Sequence, residues 1–422
     1  MNGNFTIGRR ALLAGGAAIG ASLALPLRAF AADIDTSDLQ PMTGDVKPID
    51  AAERARRIAR AQKLMADNGL SAILIEPGSS MIYFSNIRWW RSERLTALLI
   101  PVEGRPVVVT PFFEEPSVRE SLGVDAEVRV WQEDESPIAL LAGALRDRKL
   151  AKGRIGIEET VRFFASDGLA RALPGVEIVS ANPVVRGCRM IKTAPEIALM
   201  QKAADITVAA FRWTWPRVKE GMTPGEIDAL IGAATRKLGG DYGGGLILLG
   251  EAAAYPHGSH KPQHVREGEV VLFDCGCTVE GYASDISRSF VPGKAPDPVR
   301  KVWDQVHEGQ QIAFRTAQVG TPAGAVDDAV RAYYEKLGYG PRYKLPGTPH
   351  RTGHGIGMDG HEPVNFVHGE TTPLAPGMCF SDEPGLYLPG SFGVRLEDCI
   401  HITEAGPRWF SVPPPSIDKP FG

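Results

Sequence analysis

The distribution of apolar residues divides the chain into two parts of different character. Between residues 54 and 185, short apolar runs typical of strands alternate with stretches of helical spacing. This alternation predicts an N-terminal α/β domain, and the polar, unpatterned residues 33–53 before it are predicted to be a linker. The predicted strands are 72–75, 95–100, 106–110, 127–131, 155–157 and 176–179, and the predicted helices are 54–68, 137–149 and 161–173.

The second part, residues 190–422, contains an internal repeat that follows a predicted long helix at 194–213. One helix opens at Thr223-Pro224 and another at Thr321-Pro322, with threonine placed as N-cap and proline at the first helical position. After each helix comes a histidine, and after each histidine come two carboxylates. This ordered recurrence predicts a duplicated domain with pseudo-twofold symmetry and a site between its halves.

Length and composition narrow the class of protein. A chain of 422 residues is too long for one typical core, which favours two domains. A hydrophobic share of 43% with 23% charged residues is typical of a soluble globular protein. The net charge of −4 gives no electrostatic reason for binding nucleic acid, so no nucleic-acid partner is predicted.

Residues 1–32 have the pattern of a twin-arginine export signal. Arg9 and Arg10 precede an apolar run that ends at Leu25, and Ala29-Phe30-Ala31 offers a small-residue cleavage site. The alternative is an N-terminal membrane anchor, but the run is short and rich in alanine and glycine. We therefore predict a periplasmic protein with no stable membrane insertion after processing.

The five cysteines are odd in number and their spacing indicates no disulfide framework. Cys275 and Cys277 form a C-x-C pair, which occurs in redox and zinc sites. On a predicted buried strand, small core residues are the simpler interpretation.

The residues that indicate the protein's chemistry are carboxylates at predicted strand positions. The apolar run at 270–273 ends at Asp274, and Asp285 follows after turn residues, which predicts that the two face each other across a hairpin. Buried acids are costly unless a metal neutralises them. Four such acids and one imidazole suit two divalent cations, with Mn²⁺ expected and Co²⁺ or Zn²⁺ as alternatives. Two metals can deprotonate a bridging water and polarise a carbonyl, which is hydrolytic chemistry. The predicted ligands are Asp274, Asp285, His354, Glu383 and Glu397.

The order of these residues resembles the pita-bread metallopeptidases, which include methionine aminopeptidase, Xaa-Pro aminopeptidase and prolidase. The resemblance is carried by H-R-T-G-H-G-I-G at 350–357, by H-E-P-V at 361–364, and by similar segments at 255–258, 381–385 and 394–398. Residues 50–185 resemble the creatinase-type N-terminal domain. The resemblance implies an α/β (α+β) protein, a creatinase-type domain (54–185) followed by a pita-bread catalytic domain (190–422), and a homodimer.

The resemblance also implies roles and a substrate. Asp274 would bind one metal, His354 and Glu383 the other, and Asp285 and Glu397 would bridge both. The implied catalytic residues are Glu383 as proton shuttle, His257 and His361 as oxyanion and substrate contacts, and Arg395 as the residue that orients the acids. The substrate would be an Xaa-Pro dipeptide or a longer peptide with an N-terminal Xaa-Pro, cleaved before proline by a metal-bridging hydroxide.

Other functions on this scaffold remain open from the sequence. Creatinase lacks the full ligand set that this chain has. A dimethylsulfoniopropionate lyase carries an additional aspartate two residues after the first ligand, where this chain has Gly276. A catalytically silent binding protein would be expected to lose ligands. The pair Trp89-Trp90 could close over a partner subunit's pocket, or serve as a core or dimer contact.

Overall fold

The computed structural model describes residues 34–421, so the predicted export signal lies outside the described residues. No helix within 34–421 is both long and apolar enough to cross a membrane. The N-terminal part contains a six-stranded sheet of order β4-β3-β2-β1-β5-β6, in which β2 runs antiparallel to β1 and β3 and the other neighbours are parallel. Its strands are β1 (Ala72–Ile75), β2 (Ala97–Pro101), β3 (Val107–Pro111), β4 (Glu127–Trp131), β5 (Gly153–Ile157) and β6 (Val176–Ser180).

Both faces of this sheet are buried, which explains why its central strands are continuous apolar runs. Ile73 and Ile75 of β1 point into one core cluster, whereas Ala72 and Leu74 point into another. Helices cover the two faces. They are α1 (Ala51–Asp67), α2 (Ser79–Ser85), α3 (Glu115–Ser121), α4 (Pro137–Asp147), α5 (Phe163–Ala172) and α6 (Asn182–Arg189), with a 3₁₀ turn at Phe112–Glu114.

Residues 34–50 of the segment predicted to be a linker (33–53) lie along the second part of the protein in ordered contact with it, and residues 51–53 belong to α1. The Met42 amide donates to the Leu238 carbonyl at 2.8 Å, and the Trp213 indole donates to Asp38 at 2.9 Å. Apolar side chains spaced through this polar segment contact the core there, and they are too sparse to produce a periodic signal. These side chains are Ile34, Leu39, Met42, Val46 and Ile49.

The second part consists of two similar halves, each with a helix pair and a sheet. Helices α7 (Ala194–Thr214) and α8 (Pro224–Leu238) accompany one half, and α9 (Asp297–Thr316) and α10 (Ala323–Lys336) the other. Two further 3₁₀ turns cover Trp215–Arg217 and Gly250–Ala254. The first-half strands are β7 (Leu246–Leu249), β8 (Val271–Cys275), β9 (Thr278–Val279), β10 (Tyr282–Ala283) and β11 (Ile286–Phe290). The second-half strands are β12 (Gly353–Gly355), β13 (Glu362–Phe366), β14 (Cys379–Asp382), β15 (Gly385–Leu388), β16 (Phe392–Arg395), β17 (Asp398–Thr403) and β18 (Gly406–Trp409).

Each half of the second part contributes one larger sheet. The first-half sheet has the order β11-β8-β7, and the second-half sheet has the order β13-β12-β14-β17-β18. Two small hairpins, β9–β10 and β15–β16, complete the set. The predicted ligands lie on or next to strands of both sheets.

The two repeat helices begin differently, and the prediction for the second is wrong. Thr223 caps α8 with a full capping box, its hydroxyl accepting from the Glu226 amide. Thr321 does not cap α10, because Pro322 occupies the N-cap position and the helix begins at Ala323. Backbone pairing satisfies this end instead, since the Ala323 amide donates to the Thr372 carbonyl at 3.0 Å.

All five cysteines fall within the described residues, and each is a buried free thiol. Cys275 ends β8 and Cys277 follows it, both contributing to the core of the first half. The interpretation of the C-x-C pair as small core residues is confirmed.

A buried ion cluster ties the α6–α7 connection to the loop before β13. The Glu362 carboxylate accepts hydrogen bonds from Arg189 at 2.5 Å and from Lys192 at 3.0 Å, and it also accepts one from the Met358 amide. Burial alone would raise the pKa of Glu362, but Lys192 and Arg189 lower it to about 2. The cluster therefore holds the loop that carries His361 in place.

Glu362→Gln is expected to reduce the free energy of unfolding by about 3 kcal/mol at pH 7. A carboxylate whose pKa is lower in the folded protein stabilises it above its unfolded pKa of about 4.5. That contribution disappears as the pH falls through the folded value of about 2. Urea unfolding at pH 7, 5, 4 and 3 should show the difference from wild type shrinking at the acid end. Glu404→Gln, at an exposed turn, is the matched control. A difference independent of pH would contradict this assignment.

Candidate metal centre

The first two acids lie on one face of the β8–β11 pair. Asp274 is directly opposite Ser287 in the antiparallel register, and Asp285 precedes Ser287 by two residues. Because strand side chains alternate between faces, the side chains of Asp274, Asp285 and Ser287 point the same way. The predicted hairpin arrangement is present, with the small β9–β10 hairpin inserted at its tip.

Glu397 joins this face from the other half of the domain. It lies between β16 and β17, and its backbone forms a bridge with Ser287, with N–H to O distances of 3.1 and 3.2 Å. The Ser287 hydroxyl donates to Glu397 Oε2 at 2.7 Å. The other oxygen, Oε1, is buried and has no hydrogen-bond partner among residues 34–421. This free oxygen is positioned beside the aspartates.

His354 and Glu383 complete the set from the second-half sheet. His354 is on β12, between β13 and β14, and Glu383 immediately follows β14. The His354 Nδ1–H donates to the Gly355 carbonyl at 3.0 Å, which leaves the Nε2 lone pair facing the acids. Nε2 lies 3.5 Å from Glu383 and 3.8 Å from Asp285. Burial and then His361 lower the pKa of His354 to about 3, so the ring is neutral at pH 7.

The electrostatics of these groups fit bound cations. Burial, followed by Asp274 and Glu383, raises the pKa of Asp285 well above its usual range, and burial and Asp285 do the same for Glu397. Burial also raises the pKa of Glu383 to about 7. Ionising these neighbouring carboxylates together is costly unless cations lie between them, and a neutral imidazole adds a nitrogen ligand. Ligand atoms lie within 4.8 Å of one another in three overlapping groups: Asp274, Asp285 and Glu397; His354, Glu383 and Glu397; and Asp285, His354 and His361.

Arg395 holds the acids of the candidate metal centre in position. Its guanidinium pairs with the Asp274 carboxylate, and its Nε–H donates to the Ser287 hydroxyl at 3.2 Å. It also donates to the Tyr387 hydroxyl at 2.9 Å. Burial alone would lower the pKa of Arg395, but Asp274 and other neighbours raise it well above its ordinary value, so it remains a cation. It therefore fixes one oxygen of Asp274 and leaves the other available.

A cavity of about 190 Å³ opens onto the acids. The His361 ring lies 4.0 Å from the His354 ring, centroid to centroid, and His257 is exposed on the cavity wall. Burial and Arg351 lower the pKa of His361, which favours its neutral form. The structure thus brings all eight predicted site residues to one cavity, which Pro256, His350 and Arg351 also line.

Sequence reasoning assigned no role to His350, Arg351 or Tyr387. Tyr387 accepts from Arg395 and donates to His350 Nε2 at 2.8 Å, and His350 Nδ1 donates to the Arg351 carbonyl at 2.7 Å. This hydrogen-bonded chain connects the aspartate end of the site with the cavity wall. The signal for His350 and Arg351 was their place in the segment that leads to His354, whereas Tyr387 stands on an ordinary apolar strand.

Comparison with known proteins identifies the family. The model of metallopeptidase family M24 matches residues 198–404, and the model of the creatinase/prolidase N-terminal domain matches residues 57–191. A probable dipeptidase, PepE, from Mycobacterium tuberculosis (strain ATCC 25618 / H37Rv) is 34% identical over 365 residues, covering 85% of this chain and 94% of the relative. The chain belongs to metallopeptidase family M24.

Two further proteins resemble it over nearly their whole length. An Xaa-Pro dipeptidase from Lactobacillus helveticus is 30% identical, covering 83% of this chain and 95% of the relative. The crystal structure of a prolidase from Thermococcus sibiricus matches with a TM-score of 0.76 and 30% identity, covering 85% of this chain and 97% of that one. The predicted fold, a creatinase-type N-terminal domain followed by a pita-bread catalytic domain, is confirmed, and the protein is a metallopeptidase.

Proposed function

We propose that this M24 metallopeptidase hydrolyses the peptide bond before proline in Xaa-Pro dipeptides or in peptides with an N-terminal Xaa-Pro. The observation that carries the proposal is the single cavity at which the five ligand side chains meet His257 and His361. The named specificities of the Lactobacillus helveticus and Thermococcus sibiricus proteins support the choice of proline.

Asp274, Asp285, His354, Glu383 and Glu397 would hold two divalent cations, for which we propose Mn²⁺. When bound, the pair would supply a hydroxide nucleophile at neutral pH and polarise the scissile carbonyl. The chain's own residues support this arrangement, since Ser287 and Arg395 fix one oxygen each of Glu397 and Asp274. Asp285 and Glu397, which share a ligand group with Asp274, are proposed to bridge the cations.

The protein side chains would move the proton and stabilise the developing charge. Glu383 would take the proton from the nucleophile and pass it to the leaving nitrogen, a role that suits a carboxylate in the cavity lining beside the other ligand side chains. A bond before proline is a tertiary amide without an N–H, so recognition cannot use that hydrogen. His257 and His361 would donate hydrogen bonds to the oxyanion and the substrate.

The lyase alternative meets a steric objection at Gly276. A Cβ atom placed there would lie 1.8 Å from the Ser284 carbonyl oxygen. The additional aspartate expected of a dimethylsulfoniopropionate lyase at this position would therefore require the β8–β10 backbone to move. A silent binding protein is disfavoured because all five ligand side chains are present and converge.

A substrate panel tests the proposal. With added Mn²⁺, the enzyme should cleave Ala-Pro much faster than Ala-Ala, and a chelator should abolish the cleavage. Ala-Pro-Ala in the same panel measures action on longer peptides. Equal rates on Ala-Pro and Ala-Ala would remove the proline specificity and leave a peptidase of another preference.

We further propose export to the periplasm by the twin-arginine route, because Arg9-Arg10 precedes an apolar stretch that ends in Ala29-Phe30-Ala31. Replacing Arg9 and Arg10 by lysine should trap the protein in the cytoplasm, as measured by cell fractionation. Replacing Arg28 by lysine is the matched control. Unchanged periplasmic levels of the double variant would defeat this proposal.

We also propose a homodimer. Trp89 and Trp90 stack with ring centroids 4.4 Å apart, and Trp89 contacts the N-terminal core while Trp90 is 66% exposed. Phe112 and Phe113 are also exposed on this domain, which supports a contact surface there. Light scattering gives the molar mass of wild type and of Trp90→Ala in solution. A monomeric wild type would contradict the proposed homodimer.

A further inference from the structure

The β9–β10 hairpin is the short segment that separates the two aspartate ligands of the first half. It covers residues 278–283, and Asp285 follows its last residue by two positions. The two strands form a separate two-stranded sheet with two residues in each strand. A hairpin this short is not stable in isolation, so contacts from the rest of the protein must hold it, and with it the backbone that leads into Asp285.

A buried contact from the N-terminal domain reaches this hairpin. Arg57 of α1 donates through Nη2 to the Tyr282 hydroxyl on β10 at 2.9 Å. That hydroxyl donates in turn to Oε1 of Glu196 on α7 at 2.8 Å, and Arg57 Nη2 lies 3.3 Å from the same oxygen. All three residues are at most 4% exposed. One closed triad therefore joins the N-terminal domain, the hairpin and the first helix of the catalytic domain.

The two charged members of the triad are fixed by further bonds. Arg57 Nη1 donates to the Tyr83 carbonyl at 3.0 Å, and the guanidinium lies 4.0 Å from the centroid of the Tyr83 ring. The second carboxylate oxygen of Glu196 accepts from the Thr193 amide at 2.8 Å, as part of the capping box of α7. Because both charged groups are held in this way, the Tyr282 hydroxyl between them has a defined position.

The other contact between the N-terminal domain and the hairpin is weaker. Arg88 pairs with Glu280 at the hairpin turn at 3.0 Å, but the two side chains are 47% and 35% exposed. Ion pairs in contact with solvent contribute little, whereas a buried hydrogen bond to a charged group is stronger. The triad is thus the contact through which the N-terminal domain acts most strongly on the position of the hairpin.

We propose that Arg57 and Tyr282 are positioning residues that hold Asp285 in place for the two cations, so that the N-terminal domain sets the affinity of the catalytic domain for metal. The inference rests on the dinuclear centre proposed above. Groups that orient metal ligands typically contribute about 10- to 100-fold in metal affinity. Tyr282 acts through the intervening backbone and does not touch the ligand, so its loss should have an effect at the lower end of this range.

Calorimetric titration of the metal-free protein with Mn²⁺ tests the role of Tyr282. Tyr282→Phe removes only the hydroxyl and leaves the pair of Arg57 with Glu196. The variant should bind Mn²⁺ about 10-fold more weakly than wild type. The Mn²⁺ concentration that gives half-maximal cleavage of Ala-Pro should rise by a similar factor. At saturating Mn²⁺ its kcat should return close to the wild-type value, because all the ligand side chains are intact.

Tyr83→Phe separates positioning from a general loss of stability. The Tyr83 hydroxyl is also buried, and it donates to the Cys188 carbonyl at 3.1 Å, within the N-terminal domain. Its removal deletes a comparable hydrogen bond without changing the hairpin, so the affinity for Mn²⁺ should stay at the wild-type value. An equal weakening in Tyr83→Phe and Tyr282→Phe, or a Tyr282→Phe variant with wild-type affinity, would overturn the inference.

Arg57→Lys tests the part played by the N-terminal domain. Lysine keeps a positive charge near Glu196 but lacks the pair of Nη groups that bond Tyr83 and Tyr282 together. It should also weaken Mn²⁺ binding, and adding Tyr282→Phe should weaken it no further, because both changes remove the same contact. Normal affinity in Arg57→Lys, or additive losses in the double variant, would refute the link between the domains. A wild type that binds no Mn²⁺ would instead refute the proposed metal centre.

Discussion

Asp285→Ala is expected to lose most of the bound metal and at least about 10³-fold in kcat/KM on Ala-Pro. Loss of a residue that merely supports a metal ligand typically costs 10–100-fold, and a direct ligand shared by two cations should cost more. Asp285 belongs to two of the three ligand groups, with Asp274 and Glu397 in one and with His354 in another. Its removal therefore weakens both cation positions together.

Elemental analysis after Mn²⁺ loading and desalting gives the metal content of this variant. Wild type should contain close to two ions per chain. Asp134→Ala, at an exposed turn of the N-terminal domain, is the matched control and should behave as wild type. Circular dichroism shows whether the variant is folded. A folded Asp285→Ala protein with full metal content and normal activity would show that the bridging assignment is wrong.

His361→Ala is expected to retain two metal ions but to lose about 10²-fold or more in kcat on Ala-Pro. An oxyanion donor acts mainly in the transition state, so kcat should fall more than KM rises. The position of the ring supports this role, since it lies beside the neutral His354 and within the cavity. Within residues 34–421, His361 forms neither a hydrogen bond nor an ion pair with any of the four acids.

The same variant distinguishes a donor from a ligand. His361 atoms also fall in a ligand group with Asp285 and His354, so loss of metal in proportion to activity would make it a metal ligand. Normal kcat in His361→Ala would remove the oxyanion role and leave the five-residue centre intact. His260→Ala, an exposed histidine outside the cavity lining, is the matched control.

The sequence could predict those parts of the site that depend on residues close together in the chain. Asp274 and Asp285 are close in the chain and joined by turn residues, so their placement on one hairpin follows from strand alternation. Repetition of the helix, histidine and acid pair identified the second half. The backbone bridge between Ser287 and Glu397 is long-range, and no local pattern specifies it. For the same reason the sequence did not reveal the contact between Tyr387 and His350.

The errors have equally physical causes. Threonine is a common N-cap residue, which is why Thr321 was expected to cap α10. Backbone hydrogen bonds between its neighbours and residues 370–374 instead satisfy the amides at the start of the helix. Residues 34–50 lack periodicity because they lie along the surface of the catalytic domain as turns, with single apolar side chains reaching its core. In both places tertiary contacts determine the conformation, and they leave little trace in the local sequence.

Anomalous diffraction from crystals of the Mn²⁺-loaded enzyme tests the central claim most directly. The account predicts two manganese peaks about 3.5–4 Å apart, with Asp285 and Glu397 reaching both. Asp274 should contact one ion, and His354 and Glu383 the other. A single peak at saturating Mn²⁺, or two peaks that Asp285 and Glu397 do not bridge, would contradict the dinuclear centre proposed for this enzyme.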